Sequence, residues 1–203
     1  MLVRELSIPD AYEFTPVVHS DSRGVFLESY RFEPLEQAVG HRLDLRQTNI
    51  SVSARGVVRG VHYALVPPSQ AKFVTAPRGA LLDVIVDIRV GSPTFGQWDS
   101  VVLDEVERKA VYLAEGLGHV LIALTDDATA LYLASAVFTP ERELGLNPLD
   151  PELAIEYPFP LDELVLSPKD TEAPGLSEAA ERGLLPNWDE CREFYASLAT
   201  ERP

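Results

Sequence analysis

The sequence predicts an all-β protein, a jelly-roll barrel with a short helical extension at its C-terminus. Three observations lead there. From Phe73 to Val137 short β-rich runs recur at near-regular spacing with turn chemistry between them, the pattern of a sandwich or barrel. No helical periodicity separates these runs, which excludes a parallel sheet wound through crossover helices. Near the end, Cys191, Phe194, Tyr195 and Leu198 fall at helical spacing, so an amphipathic helix closes the chain.

Residues 1–30 alternate weakly, and Asp21-Ser22-Arg23-Gly24 carries turn chemistry before a strand at Val25 to Glu28. Glu33 to Val39 reads as a short helix stopped by Gly40. Gln47 to Ser53 is rich in β-formers and polar at alternate positions, and Gly56 to Tyr63 is the next strand. Gly60 inside it marks a bulge or a close backbone approach. Pro67, Pro68 and Ser69 turn the chain toward a strand at Phe73 to Ala76, and Pro77-Arg78-Gly79 turns it again. In the strand Ala80 to Ile88, Asp83, Ile85 and Asp87 share one face, and Leu82, Val84 and Val86 take the other. After a turn at Gly91-Ser92-Pro93 come strands at Trp98 to Leu103, Ala110 to Leu113, His119 to Leu124 and Thr129 to Val137. Residues 147–175 are rich in Pro, Asp and Glu and read as irregular. Asn187 with Glu190 resembles a capping box at the start of the last helix. The expected organisation is one domain over 1–203, with a β core at about 1–145 and an irregular segment with C-terminal helices at about 146–203.

The 203 residues are 46% hydrophobic and 24% charged, with net charge −15. Such an acidic chain is a poor non-specific binder of nucleic acid or anionic membranes, and it must gather positive charge locally to hold an anion. The single Cys191 excludes an intrachain disulfide and a multi-Cys zinc site and fits a reducing cytoplasm. The N-terminus lacks the basic and apolar regions of a signal peptide, and no apolar run nears the ~20 residues of a membrane span. A cytoplasmic location is therefore expected.

Arg59-Gly60-Val61-His62-Tyr63 and the following Pro67 to Lys72 concentrate an Arg, a His, a Tyr and a Lys. Cations beside a His suit an anionic substrate and proton transfer; a surface hairpin with ordinary charges is the plainer alternative. A metal site would need His62 and His119 joined by Asp83 or Glu115, because no His-x-His pair is present and two His are too few for most catalytic metals. Taken singly, His62 and His119 also suit buried structural roles. Tyr132 shares a strand face with Ala130 and Ala134, which leaves room above the ring. Asp170, in Ser167-Pro168-Lys169-Asp170, reads locally as a turn residue.

The ordered set is more specific than its parts. Asp21-Ser22-Arg23-Gly24 with Phe26 and Glu28, Gln47-x-Asn49, Arg59-Gly60-x-His62-Tyr63, Pro67-Pro68-x-Gln70-x-Lys72, Asp83-x-x-x-Asp87-Ile88-Arg89, Gly91 to Gly96, Glu115-Gly116-x-x-His119, Tyr132 and Leu166-Ser167-x-x-Asp170 occur in one order. Over about residues 3–190 this resembles the dTDP-4-dehydrorhamnose 3,5-epimerase family. The resemblance implies a metal-free, cofactor-free cupin-type jelly roll that acts as a homodimer on dTDP-4-keto-6-deoxyglucose.

It further implies that His62 is the base, oriented by Asp170, that Lys72 stabilises an enolate oxygen, and that Tyr132 delivers a proton to the opposite face. An unperturbed His pKa of roughly 6.5 suits the base. Arg59, Arg23 and His119 match diphosphate or sugar contacts. Phe26, Glu28, Gln47, Asn49, Phe138 and Glu143 match further substrate contacts, some of them across the dimer, and Asp83 lies behind the site. Strict alternation sets Arg59 and His62 on opposite strand faces, so both reach one site only if Gly60 forms a bulge.

His119 is followed by Val120-Leu121 where the family usually has Gly-Phe, Phe138 stands where Tyr is frequent, and Leu144 to Pro148 departs from the usual form. These departures leave open inversion at C3, at C5 or at both. A related 3,4-ketoisomerase fits the motifs less fully. A non-catalytic sugar-nucleotide-binding barrel would keep the Arg set and lose the base or acid, and both are present.

Overall fold

Backbone hydrogen bonding divides the strands between two large sheets and one hairpin. The computed structural model describes residues 1–67 and 69–200, so Pro68 of the proline turn and residues 201–203 of the expected domain lie outside the described residues. In chain order the elements are β1 (Leu2–Glu5), β2 (Ala11–Thr15), β3 (Val18–Asp21), β4 (Gly24–Leu27), α1 (Phe32–Val39), β5 (Gln47–Ser53), β6 (Val58–Ala64), β7 (Lys72–Arg78), β8 (Ala80–Val86) and β9 (Trp98–Asp104). They continue with β10 (Ala110–Leu113), β11 (Gly118–Ala123), β12 (Ala128–Ala134), β13 (Glu143–Gly145), α2 (Pro168–Thr171), α3 (Leu176–Glu181) and α4 (Trp188–Thr200). One sheet runs β1-β2-β10-β7-β12-β5, the second β13-β6-β11-β8-β9, and β3 pairs only with β4.

This corrects the expected closed, all-β jelly-roll barrel of cupin type. Among the described residues the strands form three separate sheets, and no strand of one large sheet pairs with a strand of the other. Strands β1 and β5 end the first sheet and β13 and β9 the second, so neither closes. Nor are the helices confined to a C-terminal extension: α1 lies between β4 and β5, and α2 and α3 form within and just beyond the segment read as irregular. The reason is physical. Periodicity reports which face of a strand is buried; it carries no information about which edges meet.

The two large sheets stack, with β7 against β9 and β12 against β8. Phe14, Phe73, Leu81, Ile85, Leu103 and Leu121 meet in the core between them. The second sheet is also covered on its outer face, where Val84, Val86, Val120 and Ile122 pack with Leu146, Leu153, Leu176, Ala179 and Leu185. Every residue of β11 is buried, as expected of a strand covered on both faces. The Pro- and Asp-rich segment is thus the lid of the second core.

The Asp87-to-Gly96 motif serves the fold. Fully buried Arg89 donates to Asp87 Oδ1 (2.9 Å) and Oδ2 (2.8 Å), to Asp10 Oδ2 (2.7 Å) and to Pro9 O (3.0 Å). Ser92 and Thr94 hydroxyls complete Asp87 Oδ2 at 2.6 and 2.7 Å, and the guanidinium lies 4.5 Å from the Trp188 ring. This joins the end of β8 to the N-terminus and to α4. Removing one partner of such a buried pair generally costs ~3–5 kcal/mol, because the other charge is stranded. Asn187 Oδ1 accepts from the N–H groups of Asp189 (2.8 Å) and Glu190 (3.3 Å) and caps α4, whose Cys191 is buried. Among the described residues no helix is long and apolar enough to cross a membrane.

Candidate active site

A cavity of about 430 Å³ opens between the two large sheets. From the first sheet, β5 presents Gln47, Asn49 and Ser51, β7 presents Lys72 and β12 presents Tyr132. From the second, β6 presents Arg59 and His62, β11 presents His119 and Leu121, and β13 presents Glu143; Gln70 and Phe138 complete the lining. The period-two alternation of β5 places its three polar residues on one face. Gln47 ties this wall together: its Nε2 donates to Asn49 Oδ1 (2.7 Å), and its Oε1 accepts from the Phe138 N–H (2.9 Å).

Arg59 and His62 share the cavity because β6 bulges. His119 is opposite His62 and Leu121 opposite Arg59, so Gly60 and Val61 together face the single residue Val120. Gly60 has φ +128°, and a Cβ there would collide with the His119 carbonyl and lie 3.0 Å from Val120 Cα. Only glycine fits both the angle and the approach.

His62 Nε2 lies 2.8 Å from Asp170 Oδ1. A carboxylate only accepts, so Nε2 carries the hydrogen, and in the neutral ring the lone pair is then on Nδ1. Asp170 is held in turn by the first turn of α2. Ser167 is the N-cap, accepting from the Asp170 N–H (3.2 Å) while its hydroxyl donates to Asp170 Oδ2 (2.9 Å), with Pro168 following. Locally Asp170 reads as a turn residue, but Ser at the N-cap with Pro following is the signal of the helix start found here. Burial works against the Asp170 carboxylate, but the hydrogen bond and charge of His62, the Ser167 hydroxyl and the Gly60 N–H outweigh it and hold its pKa below the ordinary value.

On the neighbouring strands, buried Lys72 Nζ is 3.2 Å from His119 Nε2, and His119 Nδ1 is 3.1 Å from Asp83 Oδ1. Burial lowers the Lys72 pKa, opposed by the charges of Glu143 and Asp83. Burial, then Lys72, lowers that of His119. Burial raises the Tyr132 pKa, reinforced by Glu143 and opposed by Arg59. The Tyr132 hydroxyl therefore stays protonated at neutral pH. Ala130 and Ala134 on the same strand face are fully buried and small, which leaves the ring free to line the cavity.

Arg23, Phe26 and Glu28 are not brought to this cavity within the chain. Arg23 and Phe26 line a surface hollow on the β3–β4 hairpin, and Glu28 lines another with Met1 and Pro34. The Arg23 side chain is 88% exposed and pairs with Asp21, and Phe26 is 70% exposed. Ser51, Gln70 and Leu121 line the cavity without having been assigned a role from sequence. For Ser51 the signal was present, as the third polar residue on the Gln47–Asn49 face.

Among the described residues no group of three or more His, Cys, Asp or Glu is arranged to hold a metal ion. The two His bind separate carboxylates, and the Lys72 ammonium stands at His119 Nε2 where a cation would have to sit. Glu115 is turned elsewhere, its Oε1 accepting from Ser135 at 3.0 Å.

The family model described as dTDP-4-dehydrorhamnose 3,5-epimerase matches residues 5–178. A dTDP-4-dehydrorhamnose 3,5-epimerase of Mycolicibacterium smegmatis is 54% identical over 198 residues, covering 98% of this chain and 97% of that protein. The solved rmlC epimerase of Mycobacterium tuberculosis superposes with TM-score 0.95 at 46% identity, over 98% of this chain and 100% of that one. A 3'-monoepimerase from Streptomyces bikiniensis, solved in complex with dTDP-quinovose, superposes with TM-score 0.93 at 47% identity, over 97% of this chain and 98% of that one.

Proposed function

Because the chain belongs to the dTDP-4-dehydrorhamnose 3,5-epimerase family, we propose that it is the isomerase that epimerises dTDP-4-keto-6-deoxy-D-glucose at C3 and C5, giving dTDP-4-keto-L-rhamnose for deoxysugar biosynthesis without a cofactor. The observation that carries this is that His62, paired with Asp170 of α2, and Tyr132 stand on opposing sheets of one cavity that Lys72 also lines. A sugar ring lying between the sheets has a base on one face and an acid on the other.

C3 and C5 flank the C4 ketone, so loss of either proton gives an enolate. His62 Nδ1 takes the proton, the C–H electron pair becomes the C=C bond of the enolate, and the C=O π pair moves onto the ketone oxygen. Asp170 supports the imidazolium that results. Lys72 donates to the developing oxyanion. Tyr132 then protonates the carbon from the opposite face, inverting it, and the tyrosinate and imidazolium return to their resting states by exchange with solvent. Arg59 and Arg23 hold the diphosphate. Gln47, Asn49, Phe138, Phe26 and Glu28 hold the nucleotide, and Glu143 contacts the sugar end beside Lys72 and Tyr132.

A second reading is inversion at C3 alone, favoured by the similarity to the 3'-monoepimerase. NMR of the product formed from dTDP-4-keto-6-deoxyglucose by enzyme stripped with EDTA separates the readings. Both centres inverted is the expected outcome. Inversion at one centre supports the mono-epimerase, and activity lost on chelation but restored by a divalent ion sinks the metal-free mechanism.

We also propose that the protein acts as a homodimer in which the β3–β4 hairpin delivers Arg23, Phe26 and Glu28 to the partner's cavity. Val25 and Phe26 on the hairpin are 55% and 70% exposed, and Ile50 and Val52 on edge strand β5 are 66% and 56% exposed. A soluble monomer rarely leaves such a row bare. Co-expressed Arg23→Ala and His62→Asn chains should recover activity that neither has alone, because each mixed dimer then holds one intact site. No recovery would place Arg23 in its own chain's site.

A further inference from the structure

We propose that Asp83 is a positioning residue, which aims the Lys72 ammonium into the cavity by fixing the tautomer of His119. The inference rests on the reading of Lys72 as the enolate stabiliser. Asp83 is fully buried in the middle of β8, between Leu121 of β11 and Val101 of β9. Its Oδ2 has no hydrogen-bond partner. A carboxylate in such a place is costly to the fold, and one imperfectly paired oxygen makes it more so. Its hydrogen-bonded neighbour is His119, and the far side of His119 meets Lys72.

The chemistry of the two ends leaves one arrangement. The carboxylate can only accept and the ammonium can only donate. His119 is therefore neutral, with its hydrogen on Nδ1 and its lone pair on Nε2, where it accepts from Lys72. The other tautomer would set an N–H against the ammonium and turn Lys72 away. The groups facing Lys72 are His119 from β11, Asp83 from β8, Glu143 from β13 and Tyr132 from β12, and His62 from β6 acts on it through His119. Only Asp83 and Glu143 are anionic. Glu143 lies on the short edge strand and accepts from the Thr139 N–H (3.3 Å), so the buried, immobile charge behind Lys72 is Asp83.

Two measurements test this. In ¹⁵N-histidine NMR of the wild-type protein, His119 should show a protonated Nδ1 and a bare Nε2 at neutral pH; a protonated Nε2 overturns the proposal even if no variant folds. In Asp83→Asn, removing the anion makes Lys72 easier to deprotonate. The alkaline limb of the kcat profile should move to lower pH, the direction set by losing one of the two carboxylates whose charge raises the Lys72 pKa. At neutral pH kcat should fall ~10-fold or more, the low end of what carboxylates that orient metal-bound His contribute, with KM and Tm near wild type. A limb that does not move, or a loss that follows Tm alone, makes Asp83 a merely structural residue. Wild-type protein with the expected tautomer but no epimerase activity would instead overturn the functional reading on which the role of Lys72 rests.

Discussion

His62→Asn is expected to lower kcat by at least ~10²–10⁴-fold, the usual worth of general acid–base catalysis. Asn retains a polar group of similar reach and can still donate toward Asp170, which is 2.8 Å from the native ring. It has no lone pair able to take a proton from carbon at neutral pH. Binding of dTDP should stay within about twofold, because the diphosphate and nucleotide contacts are assigned to Arg59, Arg23 and the β5 wall and none passes through His62. Steady-state kinetics with a dTDP binding isotherm checks both halves. Turnover near wild type would remove His62 as the base; an equal loss in binding would make the effect one of misfolding. Asn gains no basic lone pair as the pH rises, so the loss should not be recovered by raising the pH.

Tyr132→Phe is expected to separate proton removal from proton return. The substitution keeps the ring and leaves the side chains of His62, Lys72 and Arg59 in the cavity. Enolate formation should continue while inversion falls by ~10²-fold or more. In D₂O the variant should wash deuterium into C3, C5 or both with little epimer accumulating, whereas wild-type enzyme should label each carbon that it inverts. Epimerisation at the wild-type rate would make Tyr132 a packing residue, with water as the acid. Loss of exchange together with inversion would place Tyr132 on the path of the first proton instead of the second.

The ordered motifs, through the family that they resemble, named a set of candidate site residues, because such motifs keep particular residue types at fixed spacing. Gln47, Asn49, Arg59, His62, Lys72, His119, Tyr132, Phe138 and Glu143 were named from the sequence, and one cavity takes them all. The bulge at Gly60 was legible too, since two residues of odd separation can share a strand face only if alternation breaks, and glycine is where it breaks at least cost. Local cues also located α1, its Gly40 stop and the Asn187 cap.

What the sequence alone could not decide was how separate pieces meet. Alternation such as that of β5 says which side chains are buried and nothing about whether the outer edges of β1, β5, β9 and β13 find partners, so the closed barrel was expected and open sheets formed. The segment read as irregular became the cover of the second sheet, because continuous apolar strands need burial on both faces. Asp83 and Asp87 look alike on one strand face, yet one is joined to His119 and Lys72 and the other to Arg89. Their partners lie on other elements, and only tertiary contact distinguishes them. Likewise Arg23 and Phe26 sit on the β3–β4 hairpin and Glu28 just past it, and that hairpin pairs with neither large sheet. Residue identity determines which reactions a chain can support; the distance between elements far apart in sequence determines which groups act together, because hydrogen bonds, ion pairs and proton transfers all operate within about 3–4 Å.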